Sequence, residues 1–321
     1  MTVRTAIIGL GIMGRRMLEH MVAHDGYEPA LLWDPDPAAC AQARDLAPGS
    51  EIVQSAEAAI AGADLVYLAC PPVPRKALAL MAAEAGKAVF LEKPLGVDIA
   101  ASEDLVARLA ATGVPVAVNF TQAASLAMTA VTEAARTGAM GALVGADIVV
   151  TYGAWPRAWQ KAADWLRFRD EGGMTREVIS HFLFVSERVL GPLTLTWARP
   201  SYPADTALCE THMLARLETA EGLPVTVMAS VGGAQPDRQE LTLKGARASH
   251  RISDFYVDAV SDGGPFHPVE RGGVDPRSGA IRAQLDEFLA LIEGGASRLA
   301  TPQEALRVQK LVEAMLAGKG G

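Results

Sequence analysis

Arg4-Thr5-Ala6-Ile7-Ile8-Gly9-Leu10-Gly11-Ile12-Met13-Gly14 is the stretch that decides the fold. A short apolar run leads into the spacing Gly-x-Gly-x-x-Gly. Ala6, Ile7 and Ile8 read as a buried strand. Gly9 would allow a sharp turn out of it, Gly11 a close approach of backbone to a pyrophosphate, and Gly14 tight packing of the next helix. That helix carries Met13, Met17, Met21 and Val22 on one side and Arg15, Arg16, Glu19 and His20 on the other, the pattern of an amphipathic helix. Its first free N–H groups, around Ile12 and Met13, and its dipole favour bound phosphate.

A second strand, Ala30-Leu31-Leu32-Trp33, ends at Asp34, twenty residues after Gly14. A carboxylate there can accept both ribose hydroxyls of an adenosine and would repel a 2′-phosphate. The expected cofactor is therefore NAD. NADP stays open, because Arg44 or another basic group would admit the extra phosphate.

Bulk composition narrows the rest. A chain of 321 residues is long for a single core, so two domains are expected. The formal charge of −8 argues against a nucleic-acid partner, which needs a basic footprint. No apolar run is long enough to cross a membrane, and Met1 leads almost directly into the first strand, leaving no room for a secretory leader. Cys40, Cys70 and Cys209 are far apart and odd in number, as expected of reduced thiols in a cytoplasmic protein. His20 and His24 have a spacing that can bind zinc, but no further ligand is apparent; no metal is expected.

The first 120 residues alternate strand and helix patterns, which predicts a doubly wound parallel sheet. Leu-Val-Tyr-Leu within Asp64–Ala69 is one strand, ended by Pro71-Pro72. Ala88–Leu91 and Val116–Val118 are the next two. After Asn119 the pattern changes. One helix, near Ala124–Arg136, is followed by strand-like stretches at Val144–Tyr152, Leu193–Ala198, Ala207–Thr219, Leu223–Ser230, Glu240–Lys244 and Ser249–Ile252. A helix at Met174–Leu190 interrupts them, Ser261–Gly279 reads as a surface loop, and two helices close the chain. The expectation is an α/β domain over 1–120 and an α+β domain over 121–321 with a large, mostly antiparallel open sheet. The last helix is allowed to pack back on the first domain.

Glu92-Lys93-Pro94 directly follows the strand ending at Leu91. With its flanks, Ala85-Gly86-Lys87 before and Leu95 after, and with the glycine fingerprint, it resembles the Gfo/Idh/MocA oxidoreductases, the family of glucose–fructose oxidoreductase and inositol dehydrogenase. Gly138-Ala-Met-Gly141 and Thr301-Pro302 resemble further family stretches. The resemblance implies a Rossmann domain, a second domain with an open sheet, and an active site between them. It implies that Lys93 touches both cofactor and substrate, with a cis peptide before Pro94. Loops at the strand ends would supply further cofactor contacts: Cys70, Pro71, Pro72 and Arg75 after one strand, Glu92 after another, and Asn119 after the last. Arg75 stands where many relatives carry histidine.

Gly172-Gly173-Met174-Thr175-Arg176-Glu177-Val178-Ile179-Ser180-His181 resembles the family block in which an aspartate precedes a catalytic histidine by four residues. Positions i and i+4 share a helix face, so Glu177 can reach His181. Glu177 replaces the usual aspartate, and Arg176 adds a positive charge. Trp155, Arg157 and Trp165 lie on a segment that would serve either as a substrate clamp or as an anchor to its own domain. With Asn119, Arg176, Lys93 and His181 they are the candidate substrate contacts.

The resemblance implies NAD(P)-dependent hydride transfer on a sugar, inositol or sugar acid. Lys93 and His181 would be the catalytic groups, with Glu177 orienting His181, in a homodimer or homotetramer joined through the second sheet. Two rival readings are a glycoside hydrolase that oxidises its substrate transiently and a non-catalytic nucleotide sensor.

Overall fold

The parallel sheet of the first domain follows from strands that are apolar on both faces. In the computed structural model, which describes residues 2–160, 162–271 and 275–318, these are β1 (Val3–Ile8), β2 (Tyr27–Trp33), β3 (Glu51–Ile52), β4 (Leu65–Leu68), β5 (Ala88–Glu92) and β6 (Val116–Asn119). Every residue of β4 and β5 is buried, as a sheet covered on two sides requires. All pairings are parallel, in the order β3-β2-β1-β4-β5-β6. The order reverses between β1 and β4, and such a switch point is where doubly wound sheets bind ligands.

Helices α1 (Ile12–Val22), α2 (Pro37–Leu46), α3 (Ala56–Ala61), α4 (Pro72–Glu84) and α5 (Ile99–Thr112) connect the strands. Asp36, Ser55 and Asp98 cap α2, α3 and α5, each side chain accepting a backbone N–H of the first turn. The chain divides into two units. One runs to Thr121 and includes Ile281–Leu306; the other is Gln122–Ala280 with the chain from Arg307 onward. Ile281, Leu285 and Phe288 therefore join the first core, where Phe90 packs between Tyr67 and Phe288 at ring distances of 5.4 and 4.9 Å.

The second unit holds α6 (Leu126–Arg136), β7 (Leu143–Tyr152), α7 (Ser180–Leu190), β8 (Leu193–Ser201), β9 (His212–Thr219), β10 (Pro224–Val231), β11 (Arg238–Gly245), β12 (Ser249–Ser253), β13 (Val257–Ser261) and β14 (His267–Pro268). Two further helices, α8 (Pro276–Ile292) and α9 (Pro302–Leu316), each contribute to both units. The sheet order is β14-β13-β12-β11-β7-β10-β9-β8, antiparallel except between β7 and β10. Residues of β9 and β10 alternate between buried and more exposed positions, as expected of a sheet with one face on a core. Leu214 and Met228 pair in register and are 47% and 44% exposed.

Three local readings are corrected. The predicted helix Met174–Leu190 opens with a π-helical turn, Thr175–Ile179, before α7 begins. The predicted strand Ala207–Thr219 starts only at His212. Its first residues bond instead to the Arg167–Arg169 loop, Cys209 N–H to Arg167 O and Arg169 N–H to Ala207 O, both at 2.9 Å. The predicted loop Ser261–Gly279 contains β14 and the start of α8, while its residues 272–274 lie outside the described residues.

Candidate active site

At the end of β1 the glycines meet hard steric limits. Gly9 has φ +94, and a Cβ on it would lie 2.5 Å from Cys70 N. A Cβ on Gly14 would run into Gly9 O. Gly11 is different: nothing lies within 4 Å of where its Cβ would be. It is the N-cap of α1 and provides no capping side chain. The first amides of α1, at Ile12 and Met13, therefore face no capping group, and the backbone stands open beside them. A dinucleotide pyrophosphate fits this cradle.

Asp34 lies at the end of β2, next to the loop. Leu10 N–H donates to its Oδ2 at 2.6 Å and Asp36 N–H to its Oδ1 at 2.8 Å. Two amides orient the carboxylate and leave lone pairs for ribose hydroxyls. Arg15 Nη1 donates to Leu10 O at 2.5 Å, tightening the same loop.

Lys93 follows β5 and is half-buried, and the Lys93–Pro94 peptide is cis. Behind it is a buried polar network. Asn119 Nδ2 donates to Glu92 Oε1 at 2.6 Å, the Tyr67 hydroxyl donates to the same oxygen, and Lys93 N–H donates to Glu92 Oε2 at 3.2 Å. Burial pushes the Glu92 carboxyl above its ordinary range, while bonds from Tyr67 and the nearby Lys93 charge pull the other way. Glu92 is 4% exposed and Asn119 1%. Both sit beneath the Lys93 loop, where they brace it.

Arg75, expected among the cofactor contacts, is 2% exposed. Its guanidinium donates to the carbonyls of Cys70, Glu92 and Pro94. It thereby fastens together the loops after β4 and β5. Cys70 and Pro72 are buried beside it, and Pro71 is exposed.

In the second unit, His181 is on the first turn of α7 and 6% exposed, its ring 5.3 Å from that of Phe255 in an edge contact. Glu177 lies on the π-helical turn, where an i, i+4 relation no longer follows from α-helical geometry. Gln160 Nε2 donates to Glu177 Oε1 at 3.2 Å, and Arg157 approaches the same oxygen at 3.8 Å.

The Trp- and Arg-rich segment is tied to its own domain. Trp155 Nε1 donates to Leu166 O at 2.9 Å. Arg157 is 8% exposed, bonded to Gln160 Oε1 at 2.8 Å and lying 4.7 Å from the Trp159 ring centre. Trp165 stands half-buried on a short 3-10 turn. Arg176, expected at substrate, forms a two-pronged pair with Glu313, both contacts at 2.7 Å. It also donates to the carbonyls of Arg169 and Gly172. Its guanidinium is engaged in holding α9.

Residues 3–120 match the model of the Gfo/Idh/MocA oxidoreductase family with its NAD-binding Rossmann fold. The first unit is thus similar to the NAD-binding domain of that family. An uncharacterized oxidoreductase of Streptococcus pneumoniae is 32% identical over 106 residues, spanning 32% of this chain and 28% of that protein. Over nearly the whole chain, the fold of an Agrobacterium radiobacter oxidoreductase in complex with NAD+, L-tartaric acid and magnesium superposes with a TM-score of 0.85. That pair is 18% identical and covers 99% of this chain and 97% of the other. A candidate myo-inositol dehydrogenase of Sinorhizobium meliloti gives 0.81 at 21% identity, covering 98% of both chains.

Sequence reasoning passed over three polar side chains. Tyr67 was read only as part of an apolar strand. Gln160 gave no signal. Glu210 is a 2% exposed carboxylate whose Oε1 accepts Thr175 N–H at 2.7 Å, which anchors the turn preceding His181. Burial raises its pKa above the ordinary carboxylate range. No helix is long and apolar enough to cross a membrane, and no group of three metal-ligating side chains occurs among the described residues. His24, considered above for zinc, has Nε2 at 3.0 Å from Asp286 Oδ1 and accepts Gly26 N–H on Nδ1 at 3.1 Å.

Proposed function

We propose that this chain is an NAD(P)-dependent dehydrogenase or reductase acting on a CH–OH carbon of a sugar, inositol or sugar acid, with NAD preferred. The reading rests chiefly on the Asp34 carboxylate held beside an open glycine cradle, at the same end of the sheet as the braced Lys93 loop. The bound nicotinamide supplies the hydride acceptor or donor. His181 accepts the hydroxyl proton in the oxidative direction and returns it in the reductive one, a task for which imidazole is the commonest side chain. The Lys93 ammonium stabilises the developing alkoxide, where a fixed charge is most effective. Glu177 favours the imidazolium form of His181.

Asn119 and Glu92 hold Lys93 in place, and Trp155, Arg157 and Trp165 line the substrate side of the second domain. A second copy of the chain covers the sheet face that carries Leu214 and Met228, giving the homo-oligomer; sedimentation would test this. The functional test is a screen of polyols and sugar acids with NAD and NADP, following reduced nicotinamide. Net reduction by a polyol supports a dehydrogenase. Glycoside cleavage without net reduction would select the hydrolase instead.

A further inference from the structure

Among the described residues only two non-glycines have positive φ, and they are adjacent: Asp254 at 48° and Phe255 at 68°. They occupy the centre of the turn between β12 and β13, where Tyr256 N–H donates to Ser253 O at 3.1 Å. A tight hairpin turn with two left-handed residues favours Asn or Asp first and Gly second. Asp254 suits the first position. A phenylalanine at the second is a poor choice for the backbone, because a bulky side chain resists that conformation. Strained residues of this kind persist where their surroundings fix them, often beside functional groups.

The ring explains why a phenylalanine stands there. Phe255 is 8% exposed. Its ring stacks on Phe182 at 5.4 Å and 4°, and meets the neighbouring His181 edge-on at 5.3 Å and 72°. One ring thus packs against two consecutive residues of α7. The turn is fixed from both sides. Gln122 Nε2 donates to Phe255 O at 3.1 Å. On the other side, Gln239 Nε2 donates to Asp254 Oδ1 at 3.2 Å, and Gln239 Oε1 accepts from the Tyr152 hydroxyl at 2.5 Å. The same Gln239 oxygen lies 3.5 Å from Arg157 Nη1, the arginine beside Glu177.

We propose that Phe255 is a positioning residue: its ring, presented by the strained turn at Asp254–Phe255, sets the orientation of the His181 imidazole. The inference rests on the reading of His181 as the proton-transferring group. The turn accepts an unfavourable backbone so that an aromatic edge, and not a mobile side chain, borders the imidazole. Misplacement of a catalytic group by about 1 Å can cost on the order of a hundredfold in rate.

Phe255→Gly separates backbone from ring, since glycine suits the turn but carries no side chain. The full-length variant should fold with a thermal midpoint at or above that of Phe255→Ala. Its kcat on the best polyol of the screen should fall on the order of tenfold or more, with KM little changed. Phe255→Tyr, which keeps a ring, should recover most of the turnover. The His181 imidazole resonances, assigned by their loss in His181→Asn, should move in Phe255→Gly and much less in Phe255→Tyr. Unchanged imidazole resonances in Phe255→Gly would overturn the proposal. So would wild-type kcat in that variant while His181→Asn is inactive. If His181→Asn itself retains turnover, the proton-transfer reading fails, and the resonances still report whether Phe255 orients the ring.

Discussion

The backbone N–H of Leu10 donates to Asp34 Oδ2 at 2.6 Å, joining the glycine loop after β1 to the end of β2. The carboxylate thus fixes the loop, and in the proposed reading it also receives the adenosine ribose. Asp34→Ala removes both functions. Its Kd for NAD should rise by about tenfold or more, the value of one lost charge-assisted hydrogen bond. NADP binding should suffer less, because a negative charge is removed from beside its phosphate. Calorimetric titration with both cofactors checks this; equal weakening of the two would remove Asp34 from cofactor selection.

Arg176 and Glu313 are 137 positions apart in sequence and meet through two contacts of 2.7 Å. Arg176→Ala would leave Glu313 and the carbonyls of Arg169 and Gly172 without this donor. Losing one partner of a buried ion pair costs roughly 3–5 kcal/mol. Urea unfolding should show a loss of that order, and Arg176→Lys should recover only part, because an ammonium lacks the planar fork. A loss near zero would show the pair to be solvent-screened.

Asp258 on β13 is held by His250 Nδ1 at 3.2 Å and Arg271 Nη2 at 2.6 Å. Burial pushes its carboxyl up, but these two partners outweigh burial and hold it below the ordinary value. A depressed folded pKa gives stability that is complete above the unfolded value of about 3.9 and is lost as pH falls through the folded one. Asp258→Asn should therefore lower stability at neutral pH by roughly 1–3 kcal/mol and flatten the acid limb of the urea midpoint against pH. Parallel acid limbs in the two proteins would contradict the assignment.

The parallel strands of the first sheet were legible because Ala6–Ile8, Leu65–Leu68 and Val89–Leu91 are unbroken apolar runs between helical periods, whereas their order in the sheet came only from the structure. Shorter or irregular elements were not. Two residues, Glu51 and Ile52, carry no period at all. In β13 the buried Asp258 breaks the apolar alternation that would have marked a strand. The π-helical turn at Thr175–Ile179 was hidden because an extra residue in one turn leaves the neighbouring apolar spacing nearly intact.

Arginines marked the limit of the site reading. A sequence places Arg75 and Arg176 near the glycine-loop and histidine motifs, but it does not say which way a long side chain turns. Arg75 turns toward carbonyls two loops away and Arg176 toward α9, because buried acceptors there need donors. Lys93 and His181 were singled out by motif register alone. The support around them, Tyr67, Glu210 and Phe255, came from residues whose types carry no such signal.

The most direct test is turnover of the Lys93→Met protein, measured as reduction of NAD by the best polyol of the screen, with NAD affinity determined alongside. The account predicts near-normal NAD binding and a loss of kcat by orders of magnitude, on the order of a thousandfold for removal of one group stabilising the alkoxide. Turnover at the wild-type rate in that variant would contradict it.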